Sequence, residues 1–282
     1  MTNILAVDLG NFNVKTSEEV IFQSRFREVQ KEFITGECLL FNNKLYEIEI
    51  GSFDNTFNKA QKNYLPNLLY AIYKSVREEI SNINLVLGVP ASNSKLGTNF
   101  KNELEGKTFS YSFGPHERVV NIEKVATVAE GLSSFYTLSK EERKKDVIII
   151  DIGGRTVNVC SFSQGKNIEK FTIPQGTIDI YNEVANNYNS NGNNATVEEA
   201  IRLLRGGFLN AATEKNNFII KMLNSIKLRI NDIETYNIYL TGGGSLEIET
   251  ELKEYIKNYK YLDDPLFSNV KGNKSIAAIK WR

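Results

Sequence analysis

Cysteine, histidine and tryptophan are scarce in this sequence, whose 282 residues include two cysteines, one histidine and one tryptophan. Cys38 and Cys160 form no CxxC pair and have apolar neighbours. This pattern is typical of reduced, buried thiols in a cytosolic protein and argues against a disulfide scaffold. The single histidine, His116, cannot assemble a metal site by itself, so we interpret it as a structural residue of a Gly-Pro loop.

The chain also lacks an excess of charge of either sign and a long apolar run. Its 34 basic and 34 acidic residues give a net charge of zero, which argues against direct contact with DNA or an anionic membrane. No run approaches the roughly 18 apolar residues of a membrane span, and no signal-like segment precedes the first predicted strand. The basic tail "IAAIKWR" is interpreted as a packed final helix. We therefore expect a cytoplasmic protein with no membrane attachment.

What the sequence does contain is an alternation of predicted strands and helices. With 41% apolar residues it can form one large domain or two of ordinary size, and the alternation indicates α/β layers. The predicted elements include a hairpin within residues 37–50, helices over 64–80 and 125–138, a charged connector at 139–146 and a polar surface loop at 186–194. The connector is the predicted domain boundary.

Two stretches share one plan: an apolar strand, an aspartate, a glycine turn and a second β-branched run. They are "ILAVDLGNFNVK" at residues 4–15 and "VIIIDIGGRTVNVC" at 147–160, so that Asp8 matches Asp151 and Gly10 matches Gly153. A buried carboxylate is costly without a partner, and a hydrated divalent metal is a suitable one. Glycine turns let backbone N–H groups approach a phosphate closely. One such turn is weak evidence, but two copies in two α/β halves indicate a phosphate-binding site.

A third glycine cluster, "TGGGS" at residues 241–245, follows another predicted strand. Strand-to-helix turns of this kind accommodate anionic or polar groups of a nucleotide, and a plain tight turn is the less favoured alternative. Other nucleotide motifs fit worse. The first turn lacks the glycine that precedes lysine in the Walker A pattern, and no GxGxxG opens a helix.

Taken in order, DLGNFNVK, DIGGRTVN and TGGG resemble the two phosphate loops and the adenosine loop of the superfamily of actins, heat-shock chaperones and sugar kinases. Within it the chain is most similar to ParM-type actins of plasmid segregation. "VAEGLSSFY" resembles their first connecting helix, and "NVKGNKSIAAI" resembles their second. The resemblance implies an actin-like α/β fold with two RNase H-like domains flanking a nucleotide cleft. It places domain I at 1–146 with 258–282 returning to it, and domain II at 147–257.

The resemblance also implies roles for individual residues. Asp8 and Asp151 would hold Mg²⁺ through its waters, and Glu130 would orient or deprotonate the attacking water. Glu130 alone, on a predicted helix, is equally consistent with a solvent-facing side chain. The residues that would bind the nucleotide, ATP or alternatively GTP, are Gly10, Asn11, Phe12, Asn13, Lys15, Gly153, Gly154, Arg155, Thr156, Gly242, Gly243 and Gly244.

The sequence departs from the ParM pattern in three places. Arg155 and Asn158 replace a small or hydroxylated residue and an acid, and only residues 152–241 separate Asp151 from Gly242. This short spacing resembles AlfA-type actins and implies a reduced subdomain IIB. The side-chain contacts of the second loop and the filament geometry therefore do not transfer.

The superfamily contains both filaments and monomeric enzymes. Because 282 residues leave no room for a substrate or peptide-binding domain, the resemblance favours a filament whose substrate is another copy of the chain. Nucleotide hydrolysis would destabilise that filament, and a DNA-binding adaptor would couple it to plasmid or prophage DNA. The alternatives are a small monomeric kinase or phosphatase and a nucleotide-binding scaffold that does not hydrolyse.

Overall fold

The structure is a computed structural model, and it describes residues 3–31, 37–53, 63–89 and 94–281. The chain divides into two compact units, which we call unit 1 (Met1–Thr137 with Phe267–Arg282) and unit 2 (Leu138–Leu266). Unit 1 thus ends before the predicted boundary at 146 and resumes after the predicted return at 258. The charged connector 139–146 belongs to unit 2 and contains a 3₁₀ turn at Glu142–Lys144.

The described part of unit 1 forms a nine-stranded sheet in the order β3-β2-β1-β7-β9-β8-β5-β6-β4. The strands are β1 Asn3–Leu9, β2 Asn13–Thr16, β3 Ile21–Gln23, β4 Phe26–Val29, β5 Leu39–Phe41, β6 Lys44–Ile48, β7 Ile80–Val89, β8 Lys107–Phe113 and β9 His116–Ala129. The helices are α1 Leu65–Ser75, α2 Ser94–Leu104 and α8 Ser268–Lys280, with a 3₁₀ turn at Ser133–Thr137. A core of buried aliphatic and aromatic residues lies between the sheet and α1 and α2.

The hairpin predicted within residues 37–50 is confirmed as β5 and β6. Asn42 and Asn43 connect the two strands with φ values of +50° and +61°. Two consecutive positive φ angles match the right-handed twist of a tight hairpin, and asparagine tolerates them better than most residues. The predicted helix over 64–80 is shorter than expected. It ends at Ser75, and residue 80 already begins β7.

The described part of unit 2 forms a five-stranded sheet in the order β12-β11-β10-β13-β14. Its strands are β10 Val147–Ile152, β11 Val157–Ser163, β12 Lys166–Ile173, β13 Asn237–Thr241 and β14 Tyr259–Tyr261. Its helices are α3 Thr177–Asn189, α4 Val197–Arg205, α5 Ala212–Lys227, α6 Gly243–Glu247 and α7 Glu249–Leu252, with a second 3₁₀ turn at Ile233–Thr235. Helix α3 extends into the surface loop predicted at 186–194.

The two units repeat one strand arrangement, as the paired motifs predicted. In unit 1 the order β3-β2-β1-β7-β9 matches β12-β11-β10-β13-β14 in unit 2. The leading strand of each set pairs antiparallel with the next strand in the chain and parallel with a later one. All six residues of β10 are buried, since this strand is paired on both edges and covered on its faces. The continuous apolar run before Asp151 is the sequence signature of that position.

The prediction of a helix over residues 125–138 is wrong. Residues 116–129 form β9, and Val125–Ala129 pair in parallel with Leu85–Val89 of β7. Only the short 3₁₀ turn at Ser133–Thr137 follows. The β-branched residues Val125, Thr127 and Val128 fit a pleated, half-buried surface better than a helix, and pairing with β7 decides the outcome.

Both cysteines are buried free thiols, as predicted. Burial, with a smaller contribution from the nearby Asp151 carboxylate, raises the pKa of the Cys160 thiol to about 12. Such a thiol carries negligible thiolate at neutral pH and is therefore chemically inert. Among the described helices, none combines the length and the apolar character needed to cross a bilayer.

Candidate functional site

The carboxyl ends of three parallel strands bring two acids to one edge of the unit 1 sheet. Val7 of β1 pairs with Leu87 of β7, and Val89 of β7 pairs with Ala129 of β9. Asp8 and Glu130 are therefore placed at the same edge, one strand apart, and they are 8% and 6% exposed. The solvent-facing interpretation of Glu130 is wrong. Two acids buried at one sheet edge suit a polar or cationic ligand.

Helix α8 fixes the chain just after Glu130. Asn269 accepts hydrogen bonds through Oδ1 from the Gly131 amide at 3.1 Å and from the Ser134 hydroxyl at 2.7 Å. Gly131 has a φ of +75°, which favours glycine. The segment after Glu130 is thus tied to α8 by side-chain bonds, even though it is no α-helix. This contact gives a structural reason for Asn269, the first residue of the NVKG segment, in the first turn of α8.

The first predicted phosphate loop is a tight turn between β1 and β2. A side chain at Gly10 would clash with the Asn13 carbonyl oxygen, so only glycine closes this turn. Asn11 is 7% exposed, and its Oδ1 has no hydrogen-bond partner among the residues that the structure describes. Lys15 lies on β2 directly opposite Asp8, an oppositely charged cross-strand pair. The ring of Phe12 stacks on Phe53 with centroids 4.7 Å apart.

The second predicted loop has the same turn. The Gly153 amide donates to the Thr156 carbonyl at 2.9 Å, and a Cβ on Gly153 would lie 3.1 Å from that oxygen. Gly153 and Thr156 are thus the counterparts of Gly10 and Asn13. Asp151, which is 5% exposed, precedes this turn as Asp8 precedes the first. The structure therefore confirms that the two motifs build equivalent turns.

The amino end of α3 orients the peptide groups of the second loop. Thr177 and Ile178 donate their backbone N–H groups to the carbonyls of Gly153 (3.1 Å) and Gly154 (2.9 Å). In a trans peptide the C=O and the following N–H point in opposite directions. The N–H groups of Gly154 and Arg155 consequently point away from α3. Two successive N–H groups on one side of a turn form a concavity that suits an anion.

Gly176 is a site residue that sequence reasoning missed. A Cβ at this position would lie 2.5 Å from the Arg155 nitrogen and 2.5 Å from the Gly154 oxygen. The only sign of its role in the sequence is that a glycine stands between strand β12 and helix α3. Because both clashing atoms are backbone atoms of the second loop, no side-chain rotation relieves them.

Replacement of Gly176 by alanine is therefore expected to displace the second loop. Overpacking costs about 1–3 kcal/mol, which corresponds to about a 5- to 150-fold loss of affinity for the predicted nucleotide if the whole cost falls on the loop. Titration with a fluorescent nucleotide measures the Kd. Ser190→Ala, at the exposed far end of α3, is the control and should bind as wild type. Wild-type affinity in Gly176→Ala would contradict the role of α3.

The side chain of Arg155, which is predicted to contact phosphate, is held against α3. Its side chain is 6% exposed, and Nη1 lies 3.9 Å from Oδ1 of Asp179 on α3. Asp179 Oδ2 also accepts the Gly176 amide at 2.8 Å. The guanidinium thus braces the second loop against α3. Its phosphate contact stays a prediction.

The third glycine cluster lies against the end of β10. A Cβ on Gly242 would lie 2.5 Å from Asp151 Oδ1, and a Cβ on Gly244 would lie 2.8 Å from Thr177 Cγ2. Gly242 also has a φ of +82°. Unit 2 thus brings together Asp151, the amino end of α3 and Gly242–Gly244, which are far apart in the sequence.

Unit 2 contains a cavity of about 320 Å³, which is lined in part by Glu247 at the end of α6, the short helix that begins at Gly243. Lys215 of α5 extends into it, with Nζ 3.8 Å from carboxylate oxygens of both Glu247 and Glu251. The lining residues are Tyr181, Ile201, Leu204, Arg205, Leu209, Asn210, Ala211, Ala212, Lys215, Glu247 and Glu251. Apolar walls with a few convergent polar groups are typical of a small-molecule site. No sequence motif indicated this cavity, because its lining comes from five helices, α3 to α7, and from the loop between α4 and α5.

Comparison with solved structures identifies the architecture. An archaeal actin homologue, Ta0583, superposes with a TM-score of 0.85 at 17% identity, covering 99% of this chain and 100% of that chain. This chain has the actin-like fold. A 15-stranded ParM filament from Clostridium botulinum gives a TM-score of 0.81 at 18% identity, covering 99% and 100% of the two chains. An AlfA filament bound to AMPPNP gives 0.67 at 19% identity, covering 100% and 98%.

These matches confirm the predicted actin-like α/β fold and its resemblance to ParM and AlfA structures. Residues 174–236, between β12 and β13, contain three α-helices and a 3₁₀ turn and no strand, in agreement with a reduced subdomain IIB. No protein-family model and no curated protein matches the sequence. At identities below 20% the similarity establishes the fold, and function has to be argued from the site.

Proposed function

We propose that this chain is a polymerising protein driven by nucleoside triphosphate, which moves plasmid or prophage DNA through a DNA-binding adaptor. The observation that carries the proposal is the equivalent acid-and-glycine turn at the ends of β1 and β10. Three similar structures support it: a ParM filament, an AlfA filament bound to AMPPNP, and the archaeal homologue in complex with ADP. The zero net charge favours an adaptor over direct DNA contact.

The carboxylates of Asp8 and Asp151 suit a magnesium ion that keeps its waters better than a metal ion bound entirely by protein side chains. Among the described residues, no group of three or more histidine, cysteine, aspartate or glutamate side chains is placed to hold a metal. Mg²⁺ instead keeps several waters and takes one or two carboxylates plus phosphate oxygens. Asp8 and Asp151 would hold it through those waters. When bound, the ion would neutralise charge on the phosphate oxygens.

The backbone of both loops binds the phosphates of ATP, or alternatively GTP, in this proposal. The N–H groups of Gly154 and Arg155 point away from α3, and the first loop has the same turn. Lys15 adds a positive charge next to Asp8. The base and ribose lie against Gly242–Gly244 and in the cavity of unit 2. Glu130 is buried at the same end of the unit 1 sheet as Asp8, and it orients or deprotonates the attacking water.

Replacement of Lys215 by methionine is expected to weaken nucleotide binding by about tenfold or more. The variant leaves Glu247 and Glu251 without their shared cation at the wall of the cavity that receives the base. Binding of inorganic tripolyphosphate, which has no base, should not change. Lys221→Met on the same helix is the control, because Lys221 is 60% exposed and pairs with Glu183. Equal losses for ATP and tripolyphosphate would contradict the base assignment.

Pelleting in the ultracentrifuge tests the proposed polymerisation. Protein at tens of micromolar is centrifuged without nucleotide, with Mg-AMPPNP, and with AMPPNP plus EDTA. We expect a pellet only with Mg-AMPPNP. Protein that hydrolyses ATP but stays in the supernatant would indicate a monomeric kinase or phosphatase. Protein that binds nucleotide with neither turnover nor pelleting would indicate a monomeric scaffold.

A further inference from the structure

The side-chain amide of Asn273 is buried in the middle of α8 without a visible partner. Asn273 is 1% exposed, and within the described residues neither its Oδ1 nor its Nδ2 forms a hydrogen bond. Buried amides are costly in that state, and nearly all of them bond to protein or to ordered water. The face of α8 that carries Asn273 packs on β1 and β7. The amide therefore requires a small polar ligand inside unit 1.

The missing side chain of Gly88 creates a space for such a ligand. A Cβ built on Gly88 would lie 3.7 Å from Asn273 Nδ2 and 3.5 Å from Glu130 Oε1. The amide and the carboxylate thus face one small space above β7. A Cβ fits there at ordinary contact distances, and a water that bonds to both polar groups would lie slightly beyond the Cβ position, at a non-bonded distance from the Gly88 Cα. The space is lined by a donor and an acceptor, so it suits water rather than an apolar group.

We propose that Asn273 is a positioning residue that acts on Glu130 through one buried water above Gly88. The Asn273 amide holds the water, and the water donates a hydrogen bond to Glu130 Oε1. This bond helps to orient the Glu130 carboxylate, which accepts a proton from the attacking water. The role in hydrolysis rests on the proposed function. The buried water itself does not.

Gly88→Ala is the sharpest test, because alanine fills the space without a clash. The thermal midpoint should stay the same or rise, since alanine is more favourable than glycine in a strand. The Kd for nucleotide should be unchanged. The kcat for phosphate release should fall by about tenfold or more, because a small displacement of a catalytic group is costly. Unchanged kcat in Gly88→Ala would overturn the proposal.

Two variants of equal shape separate positioning from packing at Asn273. Asn273→Thr keeps a hydrogen-bond donor and Asn273→Val does not. At similar stability and KM, we expect the threonine variant to retain more kcat than the valine variant. Asn84→Val is the matched control. Asn84 is also buried on β7 with an unbonded Oδ1 among the described residues, and it lies four residues before Gly88 in the middle of that strand. It should lose stability without losing kcat.

A crystal structure of the nucleotide-free protein tests the water directly. We expect an ordered water within hydrogen-bonding distance of Asn273 and Glu130 in wild type, and no such water in Gly88→Ala. An empty space in wild type would overturn the inference. Wild-type protein that releases no phosphate would refute the proposed hydrolysis, whereas hydrolysis with unchanged kcat in Gly88→Ala would refute only the role of Asn273.

Discussion

Glu130→Gln is expected to lower the rate of phosphate release by about 10²- to 10⁴-fold, the range that a general base contributes. Glutamine keeps the size of the buried side chain and removes its ability to take a proton. Nucleotide binding should change little, because the phosphates are held by the two loops and Mg²⁺. The Kd for AMPPNP and the single-turnover rate with ATP measure the two effects separately.

Glu123→Gln provides the matched control for this variant. Glu123 lies on the same strand, β9, and its side chain is exposed. The control should hydrolyse and assemble as wild type. Because hydrolysis weakens the assembled state in our proposal, polymers of Glu130→Gln should persist after wild-type polymers have disassembled. A wild-type rate in Glu130→Gln would remove Glu130 from the mechanism.

Gly272→Ala is expected to destabilise unit 1 by about 1–3 kcal/mol or more, the cost of overpacking. A Cβ at Gly272 would lie 2.6 Å from the carbonyl carbon of Ser133 and closer still to its oxygen. These are backbone atoms, so α8 must move away from residues 133–137. Helix propensity alone predicts the opposite change in stability, because it favours alanine over glycine by about 1 kcal/mol. The midpoint of thermal unfolding, followed by circular dichroism, measures the result.

Ser275→Ala, three residues further along α8, is the control for Gly272→Ala. Its side chain is exposed and donates a hydrogen bond to the Lys271 carbonyl of its own helix. This variant should unfold within a degree or two of wild type. If Gly272→Ala also unfolds at the wild-type midpoint, the close contact between α8 and residues 133–137 is absent in solution.

The features that sequence reasoning predicted are local ones. Asp8 and Asp151 with their glycine turns are recognisable because a tight turn and a buried carboxylate each demand particular residue types at fixed spacing. The β5–β6 hairpin was predictable for the same reason, since Asn42 and Asn43 suit positive φ angles. Two equivalent turns then pointed to two equivalent units.

The features that sequence reasoning missed depend on tertiary contacts. Residues 125–129 contain β-branched side chains that favour a strand, but their place in the sheet depends on pairing with β7, which is distant in the sequence. Gly176 and Gly272 are glycines because the backbone of a distant segment passes against each of them. The cavity around Lys215 is assembled from residues of separate helices. None of these contacts leaves a periodic or spaced pattern in the chain.

The central claim, that nucleotide drives assembly, is tested most directly by 90° light scattering with phosphate release followed in the same sample. On addition of Mg-ATP or Mg-GTP to wild-type protein, scattering should rise at once and then decay as phosphate accumulates. In Glu130→Gln the rise should remain and the decay should be lost. Flat scattering at tens of micromolar protein with saturating Mg-nucleotide would contradict the account, whether or not phosphate is released.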